Sequence, residues 1–155
     1  MKAVAMTEIL FYHLKGQTPE QVLPALLQKS LERGWRVVVQ ASSDERVEAL
    51  DAHLWTWRDD SFLPHGTSRD PEVAEQPIVL TAGEGNPNGA AVRFLVDGAD
   101  IPENSKGYER IVMLFDGDDP DAVEAARLRW TRAKAEGAEV TYWRADELGR
   151  WQRQG

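Results

Sequence analysis

The side chains best suited to metal binding are scattered along this chain rather than grouped. Its three histidines, His13, His53 and His65, are far apart, and no HxH or HExxH spacing occurs. A metal site needs several ligands that converge on one ion, so this spacing predicts none. The chain has no cysteine, which excludes disulfides, thiolate zinc sites and cysteine nucleophiles.

Paired carboxylates occur at Asp59-Asp60 and Asp118-Asp119. Such pairs can act as general acid and base or bind a cation. Both pairs stand in turn or helix-cap contexts, however, where short acidic side chains are favoured for structural reasons. A serine nucleophile in a GxSxG elbow is also missing. The residues therefore predict a protein that is not an enzyme and has no catalytic residues.

The glycine-rich turn Gly83–Gly89, GEGNPNG, has the composition of a phosphate-binding loop. It leads into a predicted strand, so it lacks the helix N-terminus that holds phosphate in such loops. Neither GxGxxG nor GxxxxGK[ST] occurs anywhere in the chain. We therefore expect a structural turn and no cofactor. A small-molecule or nucleotide-binding enzyme on a Rossmann-like scaffold is the alternative function.

The most distinctive segment is Asp116–Gly137, which the pattern predicts to be a helix. Its start is acidic, and its second half carries bases around a tryptophan: Arg127, Arg129, Trp130, Arg132 and Lys134. At about 100° per residue, Arg127 and Lys134 flank Trp130 on one stripe. An apolar ring between cations suits an acidic peptide that ends in an aromatic residue and a carboxylate. The alternative is structural: the charges complement the helix dipole, and Trp130 seals the edge of the core.

A second aromatic segment runs from Leu54 to His65. It presents several large apolar side chains in a dozen residues, among them Leu54, Trp55, Trp57, Phe62, Leu63 and Pro64. Aromatic side chains in loops are typical anchors of protein interfaces. The alternative is that they pack against the edge of the sheet.

Short apolar strands alternate with helices along the chain. The predicted strands are Glu8–Leu14, Arg36–Ala41, Pro77–Ala82, Ala91–Asp97, Arg110–Phe115 and Glu139–Arg144. Thr18-Pro19 begins a first helix that ends at Gly34, and Ser43 begins a second that runs to about Trp55. This alternation predicts a three-layer, Rossmann-like α/β fold with a mostly parallel central sheet and helices on both faces. We expect a single domain over residues 1–155, with 146–155 as a short C-terminal helix or tail.

The composition is that of a folded protein, with 42% hydrophobic and 28% charged residues. The net charge of −8 opposes tight binding to nucleic acid, so contact with DNA is expected only indirectly, through another protein. Direct binding of nucleic acid through the basic helix is a further alternative. No apolar run approaches the roughly 20 residues that span a bilayer. The first residues do not resemble a signal peptide. A cytoplasmic location without membrane contact is therefore expected.

Several segments together resemble the chi subunit family of bacterial DNA polymerase III, and the resemblance runs nearly end to end. These segments are FYHL at Phe11–Leu14, LW at Leu54–Trp55 with SFLPHG at Ser61–Gly66, ERIV at Glu109–Val112, and ARLRW at Ala126–Trp130. The spacing between LW and SFLPHG, and the position of ARLRW after them in a late helix, are the features most specific to that family. The resemblance implies a non-catalytic accessory subunit of the polymerase III holoenzyme, in its clamp-loader complex, that binds no nucleotide.

In that family the late helix binds the acidic, Phe-ended C-terminal tail of single-stranded-DNA-binding protein. The resemblance implies that Arg127 pairs with acidic groups of the tail and that Trp130 packs its ring. Lys134 and Arg132 would add further cations. Val123 stands where the family often has a basic residue. Tail binding would link the replicase, or a helicase, to coated single-stranded DNA.

The second aromatic segment resembles the surface by which chi holds the psi subunit or a helicase that competes for it. The resemblance makes Trp55 and Phe62 the matching anchors of that interface. Leu54 and Pro64 lie beside them in the same segment.

Overall fold

The computed structural model describes residues 7–56, 63–102, 107–145 and 150–154. Within them the strands are β1 (Glu8–Leu14), β2 (Val37–Gln40), β3 (Gly66–Thr67), β4 (Ile78–Thr81), β5 (Val92–Leu95), β6 (Arg110–Asp116), β7 (Glu139–Ala145) and β8 (Trp151–Arg153). The α-helices are α1 (Pro19–Glu32), α2 (Asp44–Trp55) and α3 (Pro120–Ala135), and a 3₁₀ turn covers Val73–Glu75. None of the helices in these ranges is long and apolar enough to cross a membrane.

The eight strands form one sheet in the order β3-β4-β2-β5-β6-β1-β7-β8. Every neighbouring pair is parallel except β7 and β8, which are antiparallel. The helices lie on both faces: α1 and α2 pack on one core, and α3 packs on the other. The predicted three-layer, Rossmann-like α/β fold is therefore confirmed.

Alternating side chains of β1 show how the sheet divides the two cores. Leu10 and Leu14 point to the core beneath α1 and α2, whereas Ile9 and Phe11 point to the core beneath α3. The helix α3 reaches its core through Ala126 and Ala133, both almost fully buried. These small side chains let α3 lie close to the strands, so larger residues beside them are held near the sheet.

Local signals account for where the helices begin. Thr18 caps α1: its hydroxyl accepts a hydrogen bond from the Gln21 N–H, and the Gln21 side chain accepts one from the Thr18 N–H. Asp119 caps α3, since its carboxylate accepts a hydrogen bond from the Asp121 N–H at 3.0 Å. The acidic start of the late helix therefore has the structural role expected of acids at a helix N-terminus.

The C-terminal segment differs from its prediction. A helix or tail was expected over 146–155, but Trp151–Arg153 forms the edge strand β8. Its register pairs Trp151 with Ala145, and the Trp151 ring stacks on Tyr12 at 4.7 Å between centroids. This contact with a residue near the other end of the chain explains the strand, which its own polar sequence does not signal. Residues 146–149 and 155 lie outside the described residues.

Candidate protein-binding surfaces

The predicted basic helix presents a surface made of Arg127, Trp130 and Lys134, called here the α3 surface. The Trp130 ring is half-buried and meets Phe11 and Tyr142 edge-on, at 5.5 and 5.8 Å between centroids. The Lys134 ammonium lies 5.8 Å from the Trp130 ring centroid, within cation–π range. Trp130 therefore both seals the core and carries a cation on its outer side.

Arg127 is exposed and forms no ion pair with a carboxylate in the part of the chain described. It lies close to His13, whose Nδ1 is 2.7 Å from the Tyr142 hydroxyl. Burial lowers the pKa of His13, and the nearby positive charges of Arg144 and Arg127 lower it further. The side chains of Arg127, Lys134 and Arg144 thus lie around the aromatic cluster that contains Trp130 and Tyr142. The electrostatic potential is therefore locally positive in a chain of net charge −8.

Three residues beside the α3 surface were not found from the sequence: His13, Tyr142 and Arg144. The register of β1 with β7 pairs His13 with Arg144 and Phe11 with Tyr142. Alternate residues of a strand share a face, so both pairs lie on the α3 side of the sheet. The alternation of Tyr142 and Arg144 was visible in the sequence, but the pairing of β7 with β1 was not.

Arg132 was predicted to belong with these residues, and the structure does not bring it to them. Its Nη2 donates to Asp100 Oδ1 at 2.7 Å, and Arg129 Nε lies 3.2 Å from the same oxygen. Arg132 is two positions from both Trp130 and Lys134, which is about 200° around the helix. The structure therefore groups Arg127, Trp130 and Lys134 and pairs Arg132 with a carboxylate elsewhere. Val123 is half-buried against the core under α3.

The second predicted surface is described in part. Trp55 ends α2 and is 53% exposed, and its ring centroid lies 4.4 Å from that of His65. His65 is buried and held on both sides, because Nδ1 donates to the Leu63 carbonyl at 2.7 Å and Nε2 lies 2.9 Å from Asp51 Oδ1. A fixed imidazole thus supports an exposed indole.

The remaining predicted members of that surface, Leu54, Pro64 and Phe62, differ from Trp55 in how far the structure exposes or describes them. Leu54 is only 4% exposed and belongs to the core beneath α2, so its side chain is not presented to a partner. Pro64 is half-buried. Phe62 lies outside the described residues, as does Trp57.

A cavity of about 510 Å³ bears on the enzyme alternative. It lies beyond β6 at the start of α1 and α3, which leave neighbouring strands toward opposite faces, the usual ligand crevice of such sheets. Carboxylates line it: Glu20, Asp97, Asp116, Asp119 and Asp121. Phosphate would meet these negative charges, and one N–H at each helix start is already bonded, that of Gln21 to Thr18 and that of Asp121 to Asp119. The crevice is therefore poorly suited to a nucleotide.

The glycine-rich turn has a structural explanation. Arg93 is fully buried and donates to the carbonyls of Gly83 and Gly85 at 2.7 and 2.9 Å. It also donates to the Gln40 amide oxygen and the Tyr108 hydroxyl. The turn thus points carbonyl oxygens at a buried guanidinium, which is the opposite of a phosphate cradle. Across the described ranges, no group of three or more His, Asp or Glu side chains is arranged so that it could hold a metal ion.

The fold and these surfaces define the class: a three-layer α/β protein with clustered aromatic and cationic side chains on its surface. The comparisons agree with that class. Residues 6–141 match the model of the family described as DNA polymerase III chi subunit, HolC. The match covers most of the chain, and this protein belongs to that family.

Two relatives share this similarity. The chain is 29% identical to the probable DNA polymerase III subunit chi of Rickettsia prowazekii over 117 residues, which cover 72% of this chain and 71% of that protein. It is 27% identical to the DNA polymerase III subunit chi of Pseudomonas aeruginosa over 138 residues, which cover 85% of this chain and 92% of that one. The chain is thus similar to chi subunits over most of its length.

Proposed function

We propose that this accessory subunit of the replication machinery binds the acidic C-terminal tail of single-stranded-DNA-binding protein through the α3 surface. It does not itself catalyse a reaction. By holding the tail, it links the polymerase III holoenzyme or a helicase to coated single-stranded DNA in the cytoplasm. Family membership supports the place in the holoenzyme, and the α3 surface supports the tail as ligand.

One observation carries the choice of ligand: Arg127 and Lys134 lie beside Trp130, and neither has a carboxylate partner among the described residues. A tail that ends in Phe offers a ring for the indole and a terminal carboxylate for Arg127. Hydrogen bonds to charged groups contribute about 1.5–3 kcal/mol each, so a single such pair changes affinity substantially.

The overall charge of −8 does not prevent this interaction. Repulsion between exposed charges is screened beyond about 10 Å at moderate ionic strength, so the local cations dominate at contact. A short disordered peptide loses conformational entropy on binding, and we expect an affinity near the micromolar range, roughly 10⁻⁶ M. Several tails on one oligomer would raise the avidity.

A peptide titration tests the proposal. A labelled acidic peptide ending in Phe should bind at low salt. The same peptide without that Phe should bind at least about tenfold more weakly, because its ring is lost and its terminal carboxylate lies one residue earlier. Fluorescence anisotropy reports both affinities. The absence of binding by the intact peptide at low salt would exclude the α3 surface as a tail site.

We also propose that the surface around Trp55 and Phe62 holds the psi subunit or a helicase. The support is Trp55, a large aromatic side chain that is 53% exposed above a fixed His65. In pull-downs from the native cell, Trp55→Ala and Phe62→Ala should each lose the partner that the wild-type protein retains. Retention by both variants would leave Trp55 and Phe62 with a structural role only.

The alternative, a small-molecule or nucleotide-binding enzyme, has one observation in its favour, the cavity of about 510 Å³ at the starts of α1 and α3. Its carboxylates argue against a phosphate-bearing ligand. A panel of nucleotides in a thermal-shift assay separates the two functions. We expect no shift, whereas a rise of several degrees with one nucleotide would favour the enzyme.

A further inference from the structure

A second cluster of aromatic and basic side chains lies on the other face of the sheet, under the C-terminal end of α1. It surrounds an open cavity of about 190 Å³, called here the α1 pocket. The side chains that matter are Tyr12, Lys29, Arg33, Trp35, Arg110 and Trp151. The aromatic members pack on the core beneath α1 and α2, whereas Trp130 packs on the core beneath α3.

The aromatic rings of the α1 pocket are half-buried and arranged in two groups. Tyr12 and Trp151 stack with 4.7 Å between centroids and 29° between planes. The Trp35 ring is covered by two guanidinium groups, Arg33 at 5.0 Å and Arg110 at 5.2 Å from its centroid. The pocket therefore offers flat apolar faces next to positive charge.

The cations of the pocket lack acidic partners. Within the described ranges no carboxylate lies within 4.0 Å of Lys29, Arg33 or Arg110, although exposed ion pairs form elsewhere, as between Arg69 and Asp44. Burial raises the pKa of the Tyr12 hydroxyl, Arg110 opposes this, and Glu8 is the carboxylate that adds to it. Around the Tyr12 hydroxyl the structure thus places two guanidinium groups, of Arg110 and Arg33, and one carboxylate, of Glu8, in a chain of net charge −8.

The helix dipole explains only part of this cluster. Lys29 and Arg33 lie at the C-terminal end of α1, where cations are favoured in any case. The Trp35 N–H also belongs to that helix end, since it donates to the Ser30 carbonyl at 3.1 Å. Arg110, however, begins β6, and the helix dipole gives no reason for its guanidinium to lie 5.2 Å from the Trp35 ring centroid. The convergence of residues from α1, β1, β6 and β8 points to a ligand that is anionic and flat.

We propose that the α1 pocket is a low-affinity site for single-stranded nucleic acid. Bases stack on Trp35 and on the Tyr12–Trp151 pair, and phosphates contact Lys29, Arg33 and Arg110. Sequence-independent sites for single strands combine stacking rings with a basic groove in this way. Arg33 is exposed, so its guanidinium is able to move from the Trp35 ring to a phosphate.

The ratio of rings to cations favours a nucleic acid over an acidic peptide. Besides the buried Phe94, the pocket has three half-buried aromatic rings and three cations without a carboxylate partner among the described residues. A nucleic acid strand likewise carries one anion for each base. An acidic peptide with one aromatic residue presents many anions for a single ring, which fits the α3 surface better. The net negative charge of the protein keeps its affinity for the strand low. We expect a Kd of about 10⁻⁴ M at physiological salt, the weak end of sequence-independent binding.

The salt dependence of binding is the quantitative signature of the proposal. Each cation that neutralises a phosphate of a single strand contributes about −0.7 to the slope of log K against log salt. Engagement of all three cations therefore predicts a slope of about −2. Removing two of them should reduce it to about −0.7.

The test is the binding of a labelled oligothymidylate, roughly 10 nucleotides long, followed by anisotropy at several low salt concentrations. The double variant Arg33→Ala/Arg110→Ala should bind at least about tenfold more weakly and show the shallower slope. Arg69→Ala, which removes an exposed arginine elsewhere, should bind like the wild type. Binding of the acidic tail peptide by the double variant should be unchanged, which shows that the protein is folded and separates this proposal from the tail site.

Several outcomes would overturn the proposal. These are no oligothymidylate binding at low salt, a salt slope that the double variant does not change, or loss of binding with Arg127→Ala, which would assign the strand to the α3 surface. Tighter binding of an acidic peptide than of the oligonucleotide in the α1 pocket would make it a peptide site. If the double variant does not fold, Lys29→Glu replaces it, because Lys29 is exposed and its reversal should still weaken oligonucleotide binding.

Discussion

Arg127 and Arg132 show how much the surroundings of a residue decide what it does. Both are exposed arginines on α3, five positions apart. Arg132 donates to Asp100, so its charge is already neutralised, whereas Arg127 has no carboxylate partner in the described part of the chain. A negatively charged ligand therefore gains a full interaction from Arg127 and little from Arg132.

The first prediction compares these two residues. Arg127→Ala should weaken binding of the Phe-ended tail peptide by about 10- to 100-fold, the equivalent of one hydrogen bond to a charged group. Arg132→Ala should change it by less than about threefold and should alter the free energy of unfolding by less than about 1 kcal/mol. Anisotropy and urea unfolding measure the two quantities. Equal losses in both variants would mean that general positive charge, not the geometry of the α3 surface, holds the tail.

The second prediction concerns His13 and pH. Its folded pKa is lowered by burial and by Arg144, Arg127 and Lys15, and Asp118 opposes this. The unfolded state therefore binds more protons, so stability rises with pH across this window. The contribution of His13 is complete above about pH 6.5, its ordinary value, and is lost as the pH falls toward the lowered folded value.

Urea unfolding at several pH values measures this contribution. The loss of stability below about pH 6.5 should be smaller in His13→Gln than in the wild type, because glutamine does not titrate. Identical pH profiles for the two proteins would show that the environment of His13 does not shift its protonation.

The start of α3 depends on a single close approach between elements. The turn from β6 to α3 contains Gly117, whose N–H donates to the Leu14 carbonyl at 2.6 Å. A Cβ at Gly117 would overlap the His13 ring and the Leu14 carbonyl oxygen. Glycine here lets β6 and β1 lie side by side while α3 turns over the sheet.

Gly117→Ala is the third prediction. It should lower the free energy of unfolding by about 1–3 kcal/mol, as overpacking of a close contact does. It should also weaken tail binding, because α3 begins three residues later. Gly85→Ala is the control, since a Cβ there meets nothing within 4 Å. Thermal unfolding that leaves the two variants indistinguishable would show that the turn adapts without cost.

The buried guanidinium of Arg93 joins β5 to β2 and to the turn at Gly83–Gly85. Its removal leaves the buried Gln40 amide oxygen without its donor and also takes the donor from the two carbonyls of the exposed turn. The fourth prediction is that Arg93→Met lowers the free energy of unfolding by about 3 kcal/mol or more. Arg69→Met, at an exposed ion pair, should cost less than about 1 kcal/mol in the same urea titration. A small loss for Arg93→Met would mean that the turn finds other donors.

At the scale of the whole molecule, the sheet separates two cationic and aromatic surfaces in an otherwise acidic chain. The α3 surface faces one side, and the α1 pocket faces the other. We therefore expect the proposed tail site and the proposed strand site to be occupied at the same time.

The fifth prediction follows from that separation. Saturating tail peptide should change the affinity for oligothymidylate by much less than the roughly fivefold that marks coupling between sites. Anisotropy of the labelled oligonucleotide, with and without unlabelled peptide, measures the change. Full competition between the two ligands would mean that they share one surface.

The sequence by itself determined the three α-helices, six of the strands and the resemblance to the family. Thr18 and Asp119 signal helix starts through contacts within a few residues, and the apolar run of Glu8–Leu14 is a strand with the predicted bounds. Such features depend on near neighbours in the chain, so they are visible without tertiary structure. The stripe of Arg127, Trp130 and Lys134 follows from helix geometry in the same way.

The tertiary structure alone decided which distant residues meet. Tyr142 joins His13 across 129 positions, Arg132 meets Asp100 across 32, and Trp151 stacks on Tyr12 to make β8 a strand. The burial of Leu54 in the core beneath α1 and α2 likewise depends on the packing of α2 against the sheet. Each of these outcomes depends on the pairing order of the strands, with β1 between β6 and β7. That order is set by the summed packing of the whole chain, which no local pattern records.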